Sequence, residues 1–105
     1  MALDEAFGAL ADPTRRRLLR LVGERPRKAG ELAGEFPVSR PAISKHLRVL
    51  RDAGLLEVER RGRARIYRLV PDGISQARRW MEETARFWDG ALEAFRRRVE
   101  EEVEG

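Results

Sequence analysis

Between Leu3 and Gly54 the chain is punctuated so often by Pro13, Gly23, Pro26, Pro37, Pro41 and Gly54 that no helix there can run much beyond about four turns. This stretch must therefore fold as several short helices packed on one another. Leu3, Ala6, Phe7 and Leu10 follow helical spacing, which predicts a first helix from Leu3 to Ala11. Asp12 suits an N-cap and Pro13 the first helical position, so a second helix carries Leu18, Leu19, Leu21 and Val22 up to Gly23. A third is predicted from about Lys28 to Phe36, with Ala29, Leu32, Ala33 and Phe36 on one face. Pro37 closes it. Ser39 then caps a fourth helix whose buried stripe is Ala42, Ile43, Leu47, Val49 and Leu50, with Gly54 as its stop.

After Gly54 the pattern changes period. Leu56 and Val58 alternate with Glu57 and Glu59, Arg61 and Gly62 make a tip, and Tyr67 and Leu69 alternate with Ile66 and Arg68, which predicts a β-hairpin. Its register stays open, because Ala64 and Ile66 compete with Tyr67 and Leu69 for the inward face. From Pro71 and Asp72 onward, Ile74, Ala77, Met81, Ala85, Trp88, Ala91, Leu92, Phe95 and Val99 keep helical spacing for about seven turns. Met81, Trp88 and Phe95 are seven apart, and Trp80, Phe87 and Ala94 run beside them. Such a stripe is wider than one face of a small domain needs, so it asks for a second packing partner. The expected fold is mainly α with a small β-hairpin, one domain spanning residues 1–105, without internal repeats.

Composition narrows the function. The chain has no cysteine, which removes disulfides, thiolate metal sites and cysteine nucleophiles. Its apolar runs stop at three residues, as in Met1 to Leu3, so neither membrane insertion nor secretion is supported and a cytoplasmic location is expected. The net charge of +4 is unevenly spread: residues 1–14 carry −3, residues 15–68 carry +10 and residues 69–105 carry −3. A basic block of this kind suits a polyanion, whose condensed counterions are released when Lys and Arg neutralise phosphates. A merely solvated, Arg-rich surface is the plainer alternative.

The segments around 28–36 and 39–53, joined by Pro37 and Val38, have helix-turn-helix spacing. In that motif the second helix enters the major groove, and here its outward residues are Ser39, Arg40, Pro41, Ser44, Lys45 and Arg48. Arg40 is the expected base reader, because a guanidinium grips guanine O6 and N7 with two bonds. Ser44 is a second candidate, while Lys45 and Arg48 suit phosphates. His46 lacks a carboxylate or second imidazole at ligand spacing, so it is either a phosphate contact or a partly buried helix residue. Arg60, Arg61, Arg63 and Arg65 crowd the hairpin tip, where a backbone or minor-groove role competes with simple protection of an exposed strand edge. The acidic tail Glu100, Glu101, Glu102 and Glu104 is expected to be a solvated, fraying end. No Gly-rich phosphate loop, nucleophile elbow or HExxH spacing occurs, so catalytic residues, metal and cofactor are all expected to be absent.

The segment from Leu10 to Leu19, reading LADPTRRRLL, together with SRPAISKHL from Ser39 to Leu47, resembles the ArsR family of bacterial winged helix-turn-helix repressors. Further agreement lies in LRDAGLL from Leu50 to Leu56, in Arg61, Gly62 and Arg63 ahead of Tyr67, Arg68 and Leu69, and in Phe87, Trp88 and Asp89. The last of these resembles the autorepressor-like, metal-independent subgroup. The resemblance implies a homodimer built from the first and last helices, with Leu3, Phe7, Trp80, Met81, Phe87, Trp88, Leu92 and Phe95 at the interface. It also implies that the helix from Ser39 reads double-stranded DNA at a near-palindromic operator, that the hairpin is the wing, and that promoter occlusion represses transcription. Two departures, Arg40 where Gln is frequent and Lys28-Ala29-Gly30 without a Thr or Ser, mean that the operator sequence cannot be borrowed from a relative. Alternatives are a regulator with a small-molecule site near Trp80, Phe87 and Trp88, and a winged-helix protein-interaction module; an unidentified effector or sequestering protein also remains open.

Overall fold

The computed structural model describes residues 2–104. In chain order the elements are α1 (Ala2–Leu10), α2 (Pro13–Glu24), β1 (Arg27–Lys28), α3 (Ala29–Gly34), α4 (Arg40–Asp52), β2 (Leu56–Arg61), β3 (Ala64–Leu69) and α5 (Ser75–Glu104). The start of α2 and both ends of α4 have a local cause. The Asp12 carboxylate accepts from the N–H groups of Thr14 at 2.8 Å and Arg15 at 3.2 Å, two donors that the start of α2 would otherwise leave unpaired. The bond from the Arg15 backbone is the leading reason that the Asp12 carboxyl is held below its ordinary range. This cap is therefore fully engaged above the usual carboxylate value and is lost only as pH falls through the lowered one.

At the start of α4 the Ser39 Oγ accepts from Ala42 N–H at 3.3 Å. Its end is a Schellman turn: Leu55 N–H donates to Leu50 O at 3.0 Å and Gly54 N–H to Arg51 O at 2.9 Å, with Gly54 at φ 78°. Leu50 and Leu55, the hydrophobic pair expected of that turn, are both buried.

Strands β2 and β3 pair antiparallel with Val58 opposite Tyr67 and Arg61 opposite Ala64, leaving Gly62 and Arg63 as a two-residue turn. Only Gly62 of the two has positive φ, 59°, the pattern of a II′ hairpin turn. This register settles the inward face only in part. Tyr67 is buried, but Leu69, on the same face, is 40% exposed at the sheet's end, while Ala64 and Ile66 are half-buried. The sheet also has a third strand. Arg27 pairs with Tyr67 and Lys28 with Ile66, giving the order β1-β3-β2. Two residues are too few to show alternation, so no sequence signal announced β1.

Leu18 and Val22 of α2, Leu32 of α3, and Ile43, Leu47 and Leu50 of α4 meet Leu56 and Tyr67 of the sheet in one core. Alanines at 6, 9 and 77 are buried where α1 and α5 join it, since only a small side chain lets the helices approach so closely. Phe7 and Trp80 close that junction edge to face, with ring centroids 5.4 Å apart.

Three boundaries differ from expectation. Helix α3 stops at Gly34, and Phe36 lies in the following bend, where it is half-buried with the Arg17 guanidinium 4.7 Å from its ring centre. Helix α5 begins at Ser75, because residues 71–73 form a tight turn closed by Gly73 N–H to Val70 O at 3.0 Å. Gly73 packs there onto the Gly54 carbonyl, with which a Cβ would collide. Glu100, Glu101 and Glu102 are exposed as expected, and the helix continues to Glu104 where a fraying end was expected.

Leu50 touches the core from the helix whose end is anchored by the Schellman turn. Leu50→Ala is expected to cost about 2–5 kcal/mol, the range for a buried leucine, read as a lower midpoint in urea unfolding.

Candidate nucleic-acid interface

Helix α4 divides cleanly. Ile43, Leu47 and Leu50 are buried, whereas Arg40, Pro41, Ser44, Lys45, Arg48 and Arg51 are exposed, and so is the capping residue Ser39. Arg40, Ser44, Arg48 and Arg51 recur at helical spacing and so form one outward row. The wing adds to this row. Arg65 of β3 lines a cleft of about 120 Å³ with Arg40, Ser44 and Tyr67, and an adjoining one of about 120 Å³ with Ser44, Arg48 and Arg51. Arg51 was not among the expected contacts, although its position eleven residues after Arg40 places it on the same face.

Ion pairing separates these cations from several others in the basic block and in α5. Among the described residues, Arg40, Lys45, Arg48, Arg51, Arg60, Arg63 and Arg65 make no ion pair, whereas Arg25, Arg27, Arg61, Arg68, Arg78 and Arg96 do. Of the four wing arginines, Arg61 is the one held back, at 3.2 Å from Glu59, and the same carboxylate also pairs with Arg68.

Other members of the basic block serve the fold. Arg15 donates from Nε to Ala9 O at 2.7 Å and from Nη2 to Gly8 O at 3.2 Å, and its Nη1 lies 3.3 Å from His46 Nδ1. Arg16 Nη1 donates to Leu10 O at 2.7 Å. Two guanidinium groups thus supply donors to the last carbonyls of α1, those of Ala9 and Leu10 and that of Gly8, which also accepts from Ala11 N–H at 3.3 Å. His46 is half-buried and turned toward Arg15, which corresponds to the partly buried alternative. Part of the arginine content of residues 15–68 is therefore committed to holding α1 and α4 in place.

The residues expected at a dimer interface fall into two sets. Leu3 and Phe7 are half-buried, and Phe7 already packs on Trp80 of its own chain. Met81, Phe87, Trp88, Leu92 and Phe95 are exposed on α5, with Phe87 at 67% and Phe95 at 65%. Ala77 is the one fully buried side chain among the described residues of α5. No described group of three or more His, Cys, Asp or Glu side chains could hold a metal ion, and no described helix is long and apolar enough to cross a membrane.

A helix-turn-helix domain model matches residues 10–59. The HTH-type transcriptional regulator Rv2034 of Mycobacterium tuberculosis is 40% identical over 99 residues, covering 94% of this chain and 90% of that protein. A solved ArsR-like transcriptional regulator from Rhodococcus sp. RHA1 superimposes with a TM-score of 0.81 at 36% identity, covering 94% of this chain and 91% of that one. The chain belongs to the ArsR family. The transcriptional repressor SdpR of Bacillus subtilis is a further relative, 34% identical over 79 residues that cover 75% of this chain and 88% of that protein. As an ArsR-family winged helix-turn-helix protein, the chain is a DNA-binding transcriptional regulator and not an enzyme.

Because a guanidinium can only donate, the contact with Arg15 requires His46 Nδ1 to be the acceptor, leaving the proton of the neutral ring on Nε2. Long-range ¹H–¹⁵N correlation spectra are expected to show the Nε2–H tautomer in the wild type, and a mixture of tautomers in Arg15→Ala.

Proposed function

We propose that this ArsR-family protein is a cytoplasmic homodimeric repressor, one domain per chain, that occludes promoters by binding a near-palindromic operator without a metal. The observation that carries this reading is the outward row on α4, unpaired in charge and continuous with Arg65 of the wing. Arg40, at the first turn of α4, reads a base edge, with Ser44 one turn behind it. Lys45, Arg48 and Arg51 take phosphates, and the Ser39 hydroxyl, whose oxygen accepts from Ala42, keeps its proton to donate to one. Arg60, Arg63 and Arg65 hold the wing to the backbone, with Arg61 contributing less because Glu59 engages it. Pro41 shapes the first turn, and His46 acts from behind α4, holding the helix against Arg15.

The second protomer covers the exposed row Met81, Phe87, Trp88, Leu92 and Phe95, while Leu3, Phe7 and Trp80 form its floor. Two recognition helices then meet successive major grooves about 34–36 Å apart.

Two alanine substitutions, one at a lysine and one at an arginine, separate reading from positioning. Lys45→Ala is expected to weaken all sequences alike and to lower the salt slope of binding by about one, whereas Arg40→Ala is expected to flatten the ratio of operator to random DNA. Titrations at several salt concentrations measure both; an unchanged slope or an unchanged ratio removes the respective assignment. Replacing Trp88 and Phe95 together by Glu is expected to give a monomer in sedimentation experiments, with operator affinity reduced by about 10²–10⁴-fold through loss of bivalence. A variant that stays dimeric would place the interface elsewhere.

A further inference from the structure

A cleft of about 320 Å³ opens between α2 and the corner where β3 turns into α5. Leu10, Leu19, Leu55, Leu69 and Ile74 contribute its apolar wall, and the charged residues lining it are Arg16 and Arg20. Leu69 and Ile74 are 40% and 44% exposed, so much of this wall faces solvent. Arg16 is held in place by its bond to Leu10 O, which leaves the rest of its guanidinium free to donate. Arg20 makes no ion pair among the described residues, and no acid lines the cleft.

An apolar cleft edged by two guanidinium groups selects a ligand with matching halves. Its wall favours an apolar body by removing it from water, its cations favour a carboxylate gripped by two bonds, and they repel a cationic ligand. Nucleic acid fits poorly, because a phosphate backbone has nothing to place against five aliphatic side chains. We propose that this cleft binds a small amphipathic monocarboxylate, a fatty or aryl acid, whose headgroup is held by Arg16 and Arg20.

The walls of the cleft are tied to the recognition helix. Val70 N–H donates to Leu55 O at 3.1 Å, and Leu55 N–H donates to Leu50 O in the last turn of α4 at 3.0 Å. A ligand wedged against Leu55 and Val70 therefore strains the link between α4, the foot of the wing and the turn into α5. On the proposed DNA-binding reading, occupancy changes operator affinity.

Calorimetric titration of the full-length protein with decanoate, decanol and decyltrimethylammonium tests the site without DNA. Saturable binding of decanoate is expected, with decanol at least about tenfold weaker and the ammonium compound not bound. Arg20→Ala is expected to weaken decanoate by about tenfold and to leave decanol unchanged. Leu19→Trp, which fills the cleft, is expected to abolish binding of both. No saturable decanoate binding, equal binding of decanol, or an Arg20→Ala variant with wild-type affinity would overturn the proposal. A monomeric Ile74→Glu variant, accompanied by no decanoate binding in the wild type, would assign the cleft to a second copy of the chain instead. Operator titrations with and without decanoate read the coupling separately, so failure of the DNA-binding reading leaves the calorimetric result standing.

Discussion

The burial of Ile43, Leu47 and Leu50 determines which way α4 faces. These side chains are taken up by the same core that holds Leu18, Leu32 and Leu56, so rotating α4 would expose leucine and bring Arg40 or Arg48 into an apolar interior. Each of those alternatives is expensive, and the outward row of polar and basic residues is consequently held in register by packing. Capping at Ser39 and the Schellman turn at Gly54 then limit the helix to the length that the core covers.

Cation placement follows a second rule. The chain is rich in arginine, and many of these groups find a carboxylate, a carbonyl or a ring within the chain: Arg15 and Arg16 at the end of α1, Arg17 over Phe36, and Arg61 and Arg68 at Glu59. What remains unsatisfied around α4 and the wing is therefore more informative than the net charge of the segment. Exposed ion pairs contribute little stability, so their main effect here is on the field that faces outward.

Much of the architecture was legible because punctuation and period agreed. Asp12-Pro13, Ser39 and Gly54 marked real caps and a real stop, the switch from helical to alternating period at Leu56 marked a real hairpin, and the broad stripe after Pro71 marked a real helix with an exposed apolar face. The features that escaped were made by tertiary contact. Strand β1 exists only because β3 offers it an edge, Phe36 leaves α3 to pack beneath Arg17, and the first residues after Leu69 turn tightly because Gly73 must fit against Gly54. At the candidate site, the outward residues of α4 could be read from periodicity, and Arg51 could have joined them. The division of labour among the arginines could not, because composition counts a charge without saying which oxygen lies beside it.

Arg15 carries that last point furthest. Its planar fork reaches two carbonyls of α1 and an imidazole of α4 at once, linking the helix beside α5 to the helix that faces outward. A lysine would keep the same charge but bring a single ammonium point where three directed donors are used. Two homologues with identical isoelectric points could therefore differ in how stiffly their ends are braced, and mechanical rigidity in this molecule is a property of donor geometry that no electrostatic average captures.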